Sequence, residues 1–434
     1  MKKLFLKLLI IEVVFIFLFS YISTFADDLD NSTDLLDVSK ELNALNYVET
    51  SSSGSSTLNL NTRSCIVLDR LSKKILYGKN EYNKVKMAST TKIMTATIII
   101  ENCNLEETVE VSKKAANTGG SRLGLKTGDK ITIKDLLYGL MLRSGNDAAV
   151  ALAEVCAGSI VDFSNLMNKK ANELGLVNTH FESPHGLDSD GHYTTAYELA
   201  LLSDYALKNK TFLQIVGTYN YTISINGYPK SLTNTNELLG NLNGVYGIKT
   251  GFTTQAKNCL IAGAKKDGIE LIAVMLGAEA TENGQSGRYV DAKNLFNFGF
   301  ENYEIKKFLN EGTKVAEIKV KNATKDTQTL NLIANASLST TFQSNFDTTS
   351  LIPSIEIKEN ISAPIAKDAI LGKISYNIDG IIYEADLIAE NDVIKSNFIE
   401  TLLQILLAII VLILIAEFFS HKRKKQKNNK KNLR

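Results

Sequence analysis

The fold is decided by the stretch Met87-Ala88-Ser89-Thr90-Thr91-Lys92-Ile93-Met94-Thr95, in which a serine and a lysine open a long apolar segment. Residues three apart on a helix lie on one face, about one turn from each other. The apolar residues that follow predict a helix over 91–102 that is buried on nearly all sides. A lysine buried with that helix needs a partner, and its pKa falls. The pattern predicts Ser89 as a nucleophile with Lys92 as its base, although the spacing alone also fits an N-cap serine beside a surface lysine.

The patterns on either side of this stretch predict how a sheet is built. Residues 64–71 and 76–80 predict a hairpin. Two further strands are predicted at 258–264 and 270–276, with a turn signal between them. Helical periodicity predicts helices at 132–143, 147–157, 160–174 and 288–298. Strands at both ends of one segment, with helices between them, predict an α+β catalytic domain over 58–303, an antiparallel sheet flanked by helices.

A different pattern occupies residues 304–396. Residues 315–320 and 354–358 alternate between apolar and polar side chains with period two, and 373–376 does so less regularly. Long helical patterns are missing there, so we predict a small all-β domain with a spacer or docking role. Before the catalytic domain, the acidic and then serine-rich residues 27–57 predict a flexible linker.

Both ends of the chain carry membrane signals. A basic start, an apolar run and a small residue before an acidic stretch predict a secretory signal peptide at 1–26, with an uncleaved N-terminal anchor as the alternative. Residues 397–420 predict a transmembrane helix, because their unbroken apolar centre leaves no polar face for a helix lying flat on the membrane. The basic tail 421–434 is expected on the cytoplasmic side. We therefore expect an exported body, held at the cell membrane by a single C-terminal anchor.

Charge and cysteine content exclude several classes of protein. The formal net charge is +1, and the basic residues concentrate at the two ends, so the body is mildly acidic and no nucleic-acid partner is expected. Four cysteines in so long an exported chain are no disulfide scaffold. Cys65 and Cys259 lie in apolar runs that predict small core residues, and one disulfide stays open. The spacings of His180, His185 and His192 match no zinc motif, so we expect neither a metal nor a cofactor.

Two further short motifs follow Ser89 in the chain. Ser144-Gly145-Asn146 lies between two predicted helices, where its hydroxyl can relay a proton and its amide can hold a peptide group, but taken alone it is better explained as a helix-ending turn followed by a new cap. Lys249-Thr250-Gly251 precedes two predicted strands, where the glycine lets a substrate backbone approach and the lysine offers a positive charge to a carboxylate. The same tripeptide begins at Lys126, but it runs on into a predicted helix and is interpreted as a turn. The set S-x-x-K, S-x-N and K-T-G, in that order, is far more specific than any one motif.

This ordered set resembles that of the penicillin-binding proteins and serine β-lactamases. The chain is most similar to the low-molecular-weight D-alanyl-D-alanine carboxypeptidases, closely over 58–303 and more loosely over the β domain and the anchor. The resemblance implies a β-lactamase/transpeptidase-like fold. The stretches that carry it are 87–95, 144–148, 179–181, 185–188, 195–200 and 247–251.

The resemblance also implies a mechanism and a substrate. Ser89 is expected to attack the penultimate D-alanine of a peptidoglycan stem peptide and form an acyl-enzyme, with Lys92 as general base and Ser144 in the proton network. Penicillins are expected to acylate the same serine, and the backbone N–H groups of Ser89 and Phe252 to form the oxyanion hole. Thr235 departs from the family pattern, because some members carry a further arginine there, which puts substrate affinity or preferred peptide length in question. The residues implied to bind substrate are Asn146, Lys249, Thr250, Gly251, Phe252 and Arg288.

Three other functions share parts of this pattern. A class A serine β-lactamase needs a glutamate for deacylation in an E-x-x-L-N loop, and the near-match at Glu173 lies at a predicted helix end and is interpreted as accidental. A D,D-endopeptidase with the same active site stays open, since it differs only in the group on the far side of the scissile bond. A non-catalytic cell-wall sensor is disfavoured, because it has no chemical need for all five motif side chains, which are Ser89, Lys92, Ser144, Asn146 and Lys249. We therefore expect a serine D-Ala-D-Ala carboxypeptidase.

Overall fold

A computed structural model describes residues 58–431 of the chain. The predicted signal peptide and linker lie outside the described residues. The strands up to residue 278 are β1 (Ser64–Asp69), β2 (Ile75–Lys79), β3 (Thr108–Glu110), β4 (Lys130–Thr132), β5 (Asn220–Ile225), β6 (Tyr228–Thr233), β7 (Val245–Thr253), β8 (Lys257–Lys266) and β9 (Ile269–Ala278). The helices up to residue 302 are α1 (Lys92–Asn102), α2 (Lys113–Ala116), α3 (Ile133–Leu142), α4 (Asn146–Ala157), α5 (Ile160–Glu173), α6 (Ala196–Leu207), α7 (Lys210–Gly217) and α8 (Gly287–Asn302).

A five-stranded antiparallel sheet lies at the centre of this part of the chain. Its strand order is β2-β1-β9-β8-β7, and Ser64 of β1 pairs with Leu276 of β9. The prediction of a sheet built from both ends of the segment is therefore confirmed. The central strands are apolar almost throughout because helices cover both faces of the sheet. Ile66 packs in the core beneath the helices inserted between β2 and β7, whereas its neighbour Val67 packs on the opposite face with α8.

The predicted helices around the motifs are present, and their ends are fixed by local chemistry. Thr132 caps α3 by accepting from the backbone N–H of Asp135, and Ser159 caps α5 by accepting from that of Asp162. Gly158, with φ of 79°, ends α4 in the left-handed conformation that glycine adopts most readily. The helix predicted over 91–102 is α1, with its first eight residues buried.

The sequence analysis missed two short β pairs. Strands β3 and β4 pair with each other, as do β5 and β6. The second hairpin had a readable signal, since its turn is Asn226-Gly227 and both residues have positive φ. The predicted direct passage from the Lys126 tripeptide into a helix is wrong in one detail. The turn is present, but β4 comes before α3 because β4 finds a partner strand in β3.

Between α8 and residue 397 the chain forms β-strands and one short 3-10 turn (Thr348–Ser350), which confirms the predicted all-β region. Its strands are β10 (Tyr303–Leu309), β11 (Lys314–Lys319), β12 (Thr329–Ala334), β13 (Leu338–Gln343), β14 (Ser354–Ile357), β15 (Ile370–Ile378) and β16 (Ile381–Ala389). Five of them form a sheet in the order β11-β12-β16-β15-β14, and β10 pairs with β13. Buried residues of this part form a hydrophobic core of their own around Leu332 and Leu387.

A long helix, α9 (Phe398–Lys431), ends the described chain. Its segment Leu402–Arg423 contains an 18-residue window with a mean hydropathy of 2.9 and is long and apolar enough to cross a membrane. Its apolar side chains are exposed, from Leu402 to Phe419. A water-exposed helix of this composition is unfavourable, so α9 is compatible with the predicted membrane anchor.

Candidate active site

Ser89 and Lys92 meet at the start of α1. Ser89 lies in a 3-10 turn formed by Ala88–Thr91, directly before the helix, and Lys92 is completely buried at the first helical position. Lys92 Nζ lies 2.8 Å from Ser89 Oγ. The burial of α1 therefore places the Lys92 amine beside the partly exposed Ser89 hydroxyl, which is the arrangement that a serine nucleophile and its base require.

The other partners of Lys92 match a neutral amine. Nζ lies 2.8 Å from Asn146 Oδ1 and 2.8 Å from the His185 carbonyl oxygen. A neutral amine has two N–H donors for these two acceptors, and its lone pair is left to receive the Ser89 hydroxyl proton. Burial lowers the pKa of Lys92 well below its usual value, and the neighbouring charge of Lys249 lowers it further. Both effects favour the neutral form of Lys92, which is the form that can act as a base.

The second motif joins this pair through Asn146. Ser144 is nearly buried and has φ of 58°, so the chain turns sharply between α3 and α4. Asn146, the first residue of α4, accepts from Lys92 with Oδ1 and donates from Nδ2 to the Gly119 carbonyl at 2.7 Å. Gly120 lies against this amide, since a Cβ there would be 2.5 Å from Nδ2. The Asn146 amide therefore links Lys92 to the loop that precedes β4.

The third motif lies on β7 beside the Ser89 turn. Gly251 is the point of contact, because a Cβ on it would lie 3.0 Å from the Ser89 backbone nitrogen. Lys249 is 1% exposed, donates to the Thr250 carbonyl at 2.8 Å, and has its pKa lowered to about 7 by burial and by the charge of Arg288. Thr250 Oγ1 lies 2.7 Å from Thr235 Oγ1.

The two K-T-G tripeptides differ completely in their surroundings. Lys126 is exposed in a turn, in which its carbonyl accepts from the Asp129 N–H. Lys249 is buried on a strand that touches the Ser89 turn. The structure thus brings Lys249, and not Lys126, to the nucleophile.

Arg288 lies behind β7, in the first turn of α8. Its Nη1 donates to the carbonyls of Gly251 and Cys259, at 3.2 and 3.4 Å, and its Nη2 lies 3.3 Å from Tyr289 Oη. The Tyr289 hydroxyl in turn donates to the Thr235 carbonyl at 3.0 Å. Among residues 58–431 the buried Nε of Arg288 has no hydrogen-bond partner. The guanidinium therefore holds β7 and β8 together and adds positive charge next to Lys249. Phe252, which follows Gly251 on β7, is 63% exposed.

Two contributors to the site were not predicted as site residues, although both lie in stretches that carry the family resemblance. The segment 182–194 supplies the His185 carbonyl to Lys92, and its Asp188 accepts from Thr253 Oγ1 at 2.7 Å. A backbone carbonyl leaves no sequence signal. Asp147 is fully buried and accepts from three consecutive backbone N–H groups, those of residues 123–125. An acidic residue at the start of a predicted buried helix was the available signal for Asp147.

Glu173, the candidate deacylation glutamate of a β-lactamase, lies away from Ser89. Glu173 ends α5, and its carboxylate pairs with Lys170 Nζ at 3.3 Å. Lys170 also pairs with Glu101, near the C-terminal end of α1. With a helical rise of about 1.5 Å per residue, Glu101 is about 14 Å along the helix from Lys92. Glu173 therefore lies at the end of α1 opposite to the serine.

Known protein families match both parts of the chain. Residues 50–280 match a family of D-alanyl-D-alanine carboxypeptidases, Peptidase S11, and residues 303–395 match the C-terminal domain of penicillin-binding protein 5. The carboxypeptidase DacF of Bacillus subtilis is 37% identical over 347 residues, which cover 78% of this chain and 88% of that protein. The chain belongs to the Peptidase S11 family of D-alanyl-D-alanine carboxypeptidases.

Other members of the family extend this likeness. The carboxypeptidase DacA of Escherichia coli is 30% identical over 80% of this chain and 87% of its own length. The crystal structure of penicillin-binding protein 5 from Haemophilus influenzae superposes with a TM-score of 0.61 at 29% identity, covering 79% of this chain and all of that one. The family and the fold class predicted from the motifs are thereby confirmed. The chain is a serine-type D-Ala-D-Ala carboxypeptidase.

Proposed function

We propose that this enzyme removes the terminal D-alanine from peptidoglycan stem pentapeptides through an acyl-enzyme on Ser89. The observation that carries the proposal is the buried Lys92 amine, 2.8 Å from the Ser89 hydroxyl and also hydrogen-bonded to Asn146 Oδ1 and the His185 carbonyl. A serine becomes a strong nucleophile only when a neighbouring base takes its proton during attack.

The chemistry proceeds in two halves. In acylation, Ser89 Oγ bonds to the carbonyl carbon of the penultimate D-alanine while its proton moves to Lys92 Nζ. The C–N bond to the terminal D-alanine then breaks, and the departing amine takes up that proton. In deacylation, water attacks the ester, its proton passes to the Lys92 amine, and Ser89 leaves as a hydroxyl. The same groups serve both halves, so Lys92 must be neutral at the start of each one.

The groups around the serine suit an anionic peptide end. Lys249 and Arg288 place two positive charges beside β7, and a bound carboxylate between them would raise the pKa of Lys249 and keep it protonated. Ser144 assists proton movement, Asn146 and Thr250 bind the peptide, and the backbone N–H groups of Ser89 and Phe252 receive the oxyanion. Because β7 passes the Ser89 turn at Gly251, both N–H groups belong to the same small region.

The same arrangement supports covalent inhibition by β-lactams. Such a ring carries a strained amide and a carboxylate, the two features that Ser89 and Lys249 recognise in the peptide. Attack by Ser89 Oγ opens the ring without releasing a leaving group, so the acyl chain stays in the site. We therefore expect penicillins to be stoichiometric inhibitors.

The domain division and the location belong to the same proposal. Residues 58–303 form the catalytic domain, 304–396 separate it from the bilayer, and 397–420 form the anchor, with the basic tail 421–434 in the cytoplasm. A signal peptide at 1–26 exports the chain, because its substrate lies outside the cell. The apolar α9 supports this arrangement.

The test uses the detergent-solubilised full chain and a fluorescent penicillin. Wild-type protein should be labelled and should release free D-alanine from a pentapeptide, whereas Ser89→Ala and Lys92→Met should do neither at a measurable rate. Lys249→Met should weaken both reactions, and Lys126→Met, in the matching tripeptide, should leave them unchanged. Labelling that survives Ser89→Ala would disprove the assignment of the nucleophile.

A further inference from the structure

A chain of hydrogen bonds runs from a histidine to the residue before Ser89. His192 is 2% exposed, and its Nδ1 accepts from the backbone N–H of Glu182 at 3.0 Å. The proton of a neutral imidazole must then lie on Nε2, which is 2.7 Å from Thr91 Oγ1. Thr91 in turn donates to the Ala88 carbonyl at 2.7 Å. Every polar atom from His192 to Ala88 thus has a fixed role as donor or acceptor.

Ala88 needs to be held, because its backbone is strained. Its φ is 48°, in the left-handed region that residues with a side chain rarely adopt. Gly186 of the 182–194 segment packs directly on it, since a Cβ at Gly186 would lie 1.9 Å from the Ala88 oxygen and 2.5 Å from Thr91 Oγ1. A shift of Ala88 would carry Ser89 with it, because the two residues are adjacent.

We propose that His192 is a positioning residue for Ser89, acting through Thr91 to keep the Ala88 peptide in the strained conformation that aims the nucleophile at Lys92. The proposal rests on the proposed role of Ser89. The ring of His192 is hydrogen-bonded to Thr91 and Glu182, so its effect on chemistry passes through the turn. Serine attack is sensitive to such an effect, because misplacing a reacting atom by about 1 Å can cost about 100-fold in rate.

The surroundings of His192 keep it neutral, as this role requires. Burial lowers the pKa of His192 to about 4. Two carboxylates, those of Glu182 and Asp188, act to raise it, and two basic groups, Lys86 and His180, act to lower it. A protonated ring would point a second N–H at the Glu182 N–H and lose that contact. Around neutral pH the ring therefore has both its Nε2–H donor for Thr91 and its Nδ1 acceptor for Glu182.

Two substitutions separate the contacts of the ring. In His192→Gln the amide nitrogen can reach the Nε2 position and still donate to Thr91, whereas in His192→Asn the amide oxygen can keep only the Glu182 contact. We expect penicillin to acylate the Gln variant of the full chain within about 3-fold of the wild-type rate, and the Asn variant about 10- to 100-fold more slowly. His180→Gln is the matched control, since His180 Nδ1 contacts the Gly191 carbonyl and not Thr91.

A double-mutant cycle distinguishes positioning from general stability. Thr91→Val should slow acylation as much as His192→Asn, Thr91→Ser should restore it, and the His192→Asn/Thr91→Val pair should be no slower than either single change. Additive losses, a wild-type rate for His192→Asn, or losses that only follow the folded fraction measured by circular dichroism would overturn the proposal. If His192→Asn does not fold, Thr91→Val against Thr91→Ser decides it. If no penicillin labels the wild-type chain, the proposed role of Ser89 is refuted. That result is distinct from failure of the His192 proposal, in which the wild-type chain is still labelled.

Discussion

Replacing the buried lysine of the third motif should stabilise the protein while disabling it. Folding lowers the pKa of Lys249 from 10.5 to about 7, a difference of about 3.5 units, and each unit corresponds to about 1.4 kcal/mol. The unfolded chain therefore gains up to about 5 kcal/mol from protonating this amine. Lys249→Met removes that gain, and the lost hydrogen bond to the Thr250 carbonyl offsets about 1 kcal/mol. We expect a net increase of about 3–4 kcal/mol in the free energy of unfolding at pH 7 and below.

The dependence on pH gives this prediction its sign. Between pH 7 and 10.5 the unfolded wild-type chain binds more protons at Lys249 than the folded chain does, so wild-type stability rises with pH across that window. The advantage of Lys249→Met should therefore be largest at or below pH 7 and close to zero by about pH 10. At about 2–4 °C per kcal/mol for a domain of this size, the Tm at pH 7 should rise by roughly 6–16 °C.

Differential scanning calorimetry of the full chain in detergent, at pH 6, 8 and 10, measures this difference. Lys126→Met is the matched control, because an exposed lysine should change the Tm little at any of these pH values. Loss of stability in Lys249→Met, or a gain of the same size at all three pH values, would contradict the prediction. Either result would show that burying a protonated Lys249 amine does not set the stability difference.

Three other outcomes are expected from the same geometry. The value of kcat/KM for a pentapeptide should fall at acid pH as Lys92 is protonated, and should fall above about pH 7 as Lys249 loses its charge. The alkaline fall in kcat should occur at higher pH, because the bound carboxylate keeps Lys249 protonated. Asp147→Asn should cost about 2–4 kcal/mol in urea unfolding, since the buried carboxylate accepts from three backbone N–H groups, and a loss below about 0.5 kcal/mol would contradict this. Gly186→Ala should slow penicillin acylation at least as much as loss of His192, because its Cβ would meet the carbonyl that precedes Ser89; labelling at the normal rate would argue that the turn tolerates movement.

Sequence patterns predicted the elements that burial dictates. The apolar run after Lys92 predicted α1, and the apolar strands at both ends of the segment predicted a sheet that joins them, because continuous apolar runs have to be covered on both faces. The hairpin of β5 and β6 was missed although Asn226-Gly227 is a strong turn signal, since its exposed strands lack that apolar run. Pattern favours what is buried.

The site was predictable only to the level of side-chain chemistry. Ser89 and Lys92 were proposed from their spacing and the apolar helix behind them, and Asn146 from the ordered set of motifs; the structure brings the three side chains into contact. The His185 carbonyl was not predicted because a backbone acceptor has no residue identity. The path from His192 to Ala88 was not predicted either, since it depends on a left-handed φ and on a loop that returns to α1 from far along the chain.

The pairing of β1 with β9 also has a consequence for when the enzyme becomes active. Ser64 pairs in register with Leu276, so the sheet cannot close until more than two hundred residues have been made. Contacts between residues so far apart in sequence form late and slowly in folding. The serine and its lysine come early in the chain, but β7, which lies against them, joins the sheet only through β8 and β9. A chain that does not yet include β9 therefore carries its nucleophile without a working catalyst, and the site can assemble only once that strand is available.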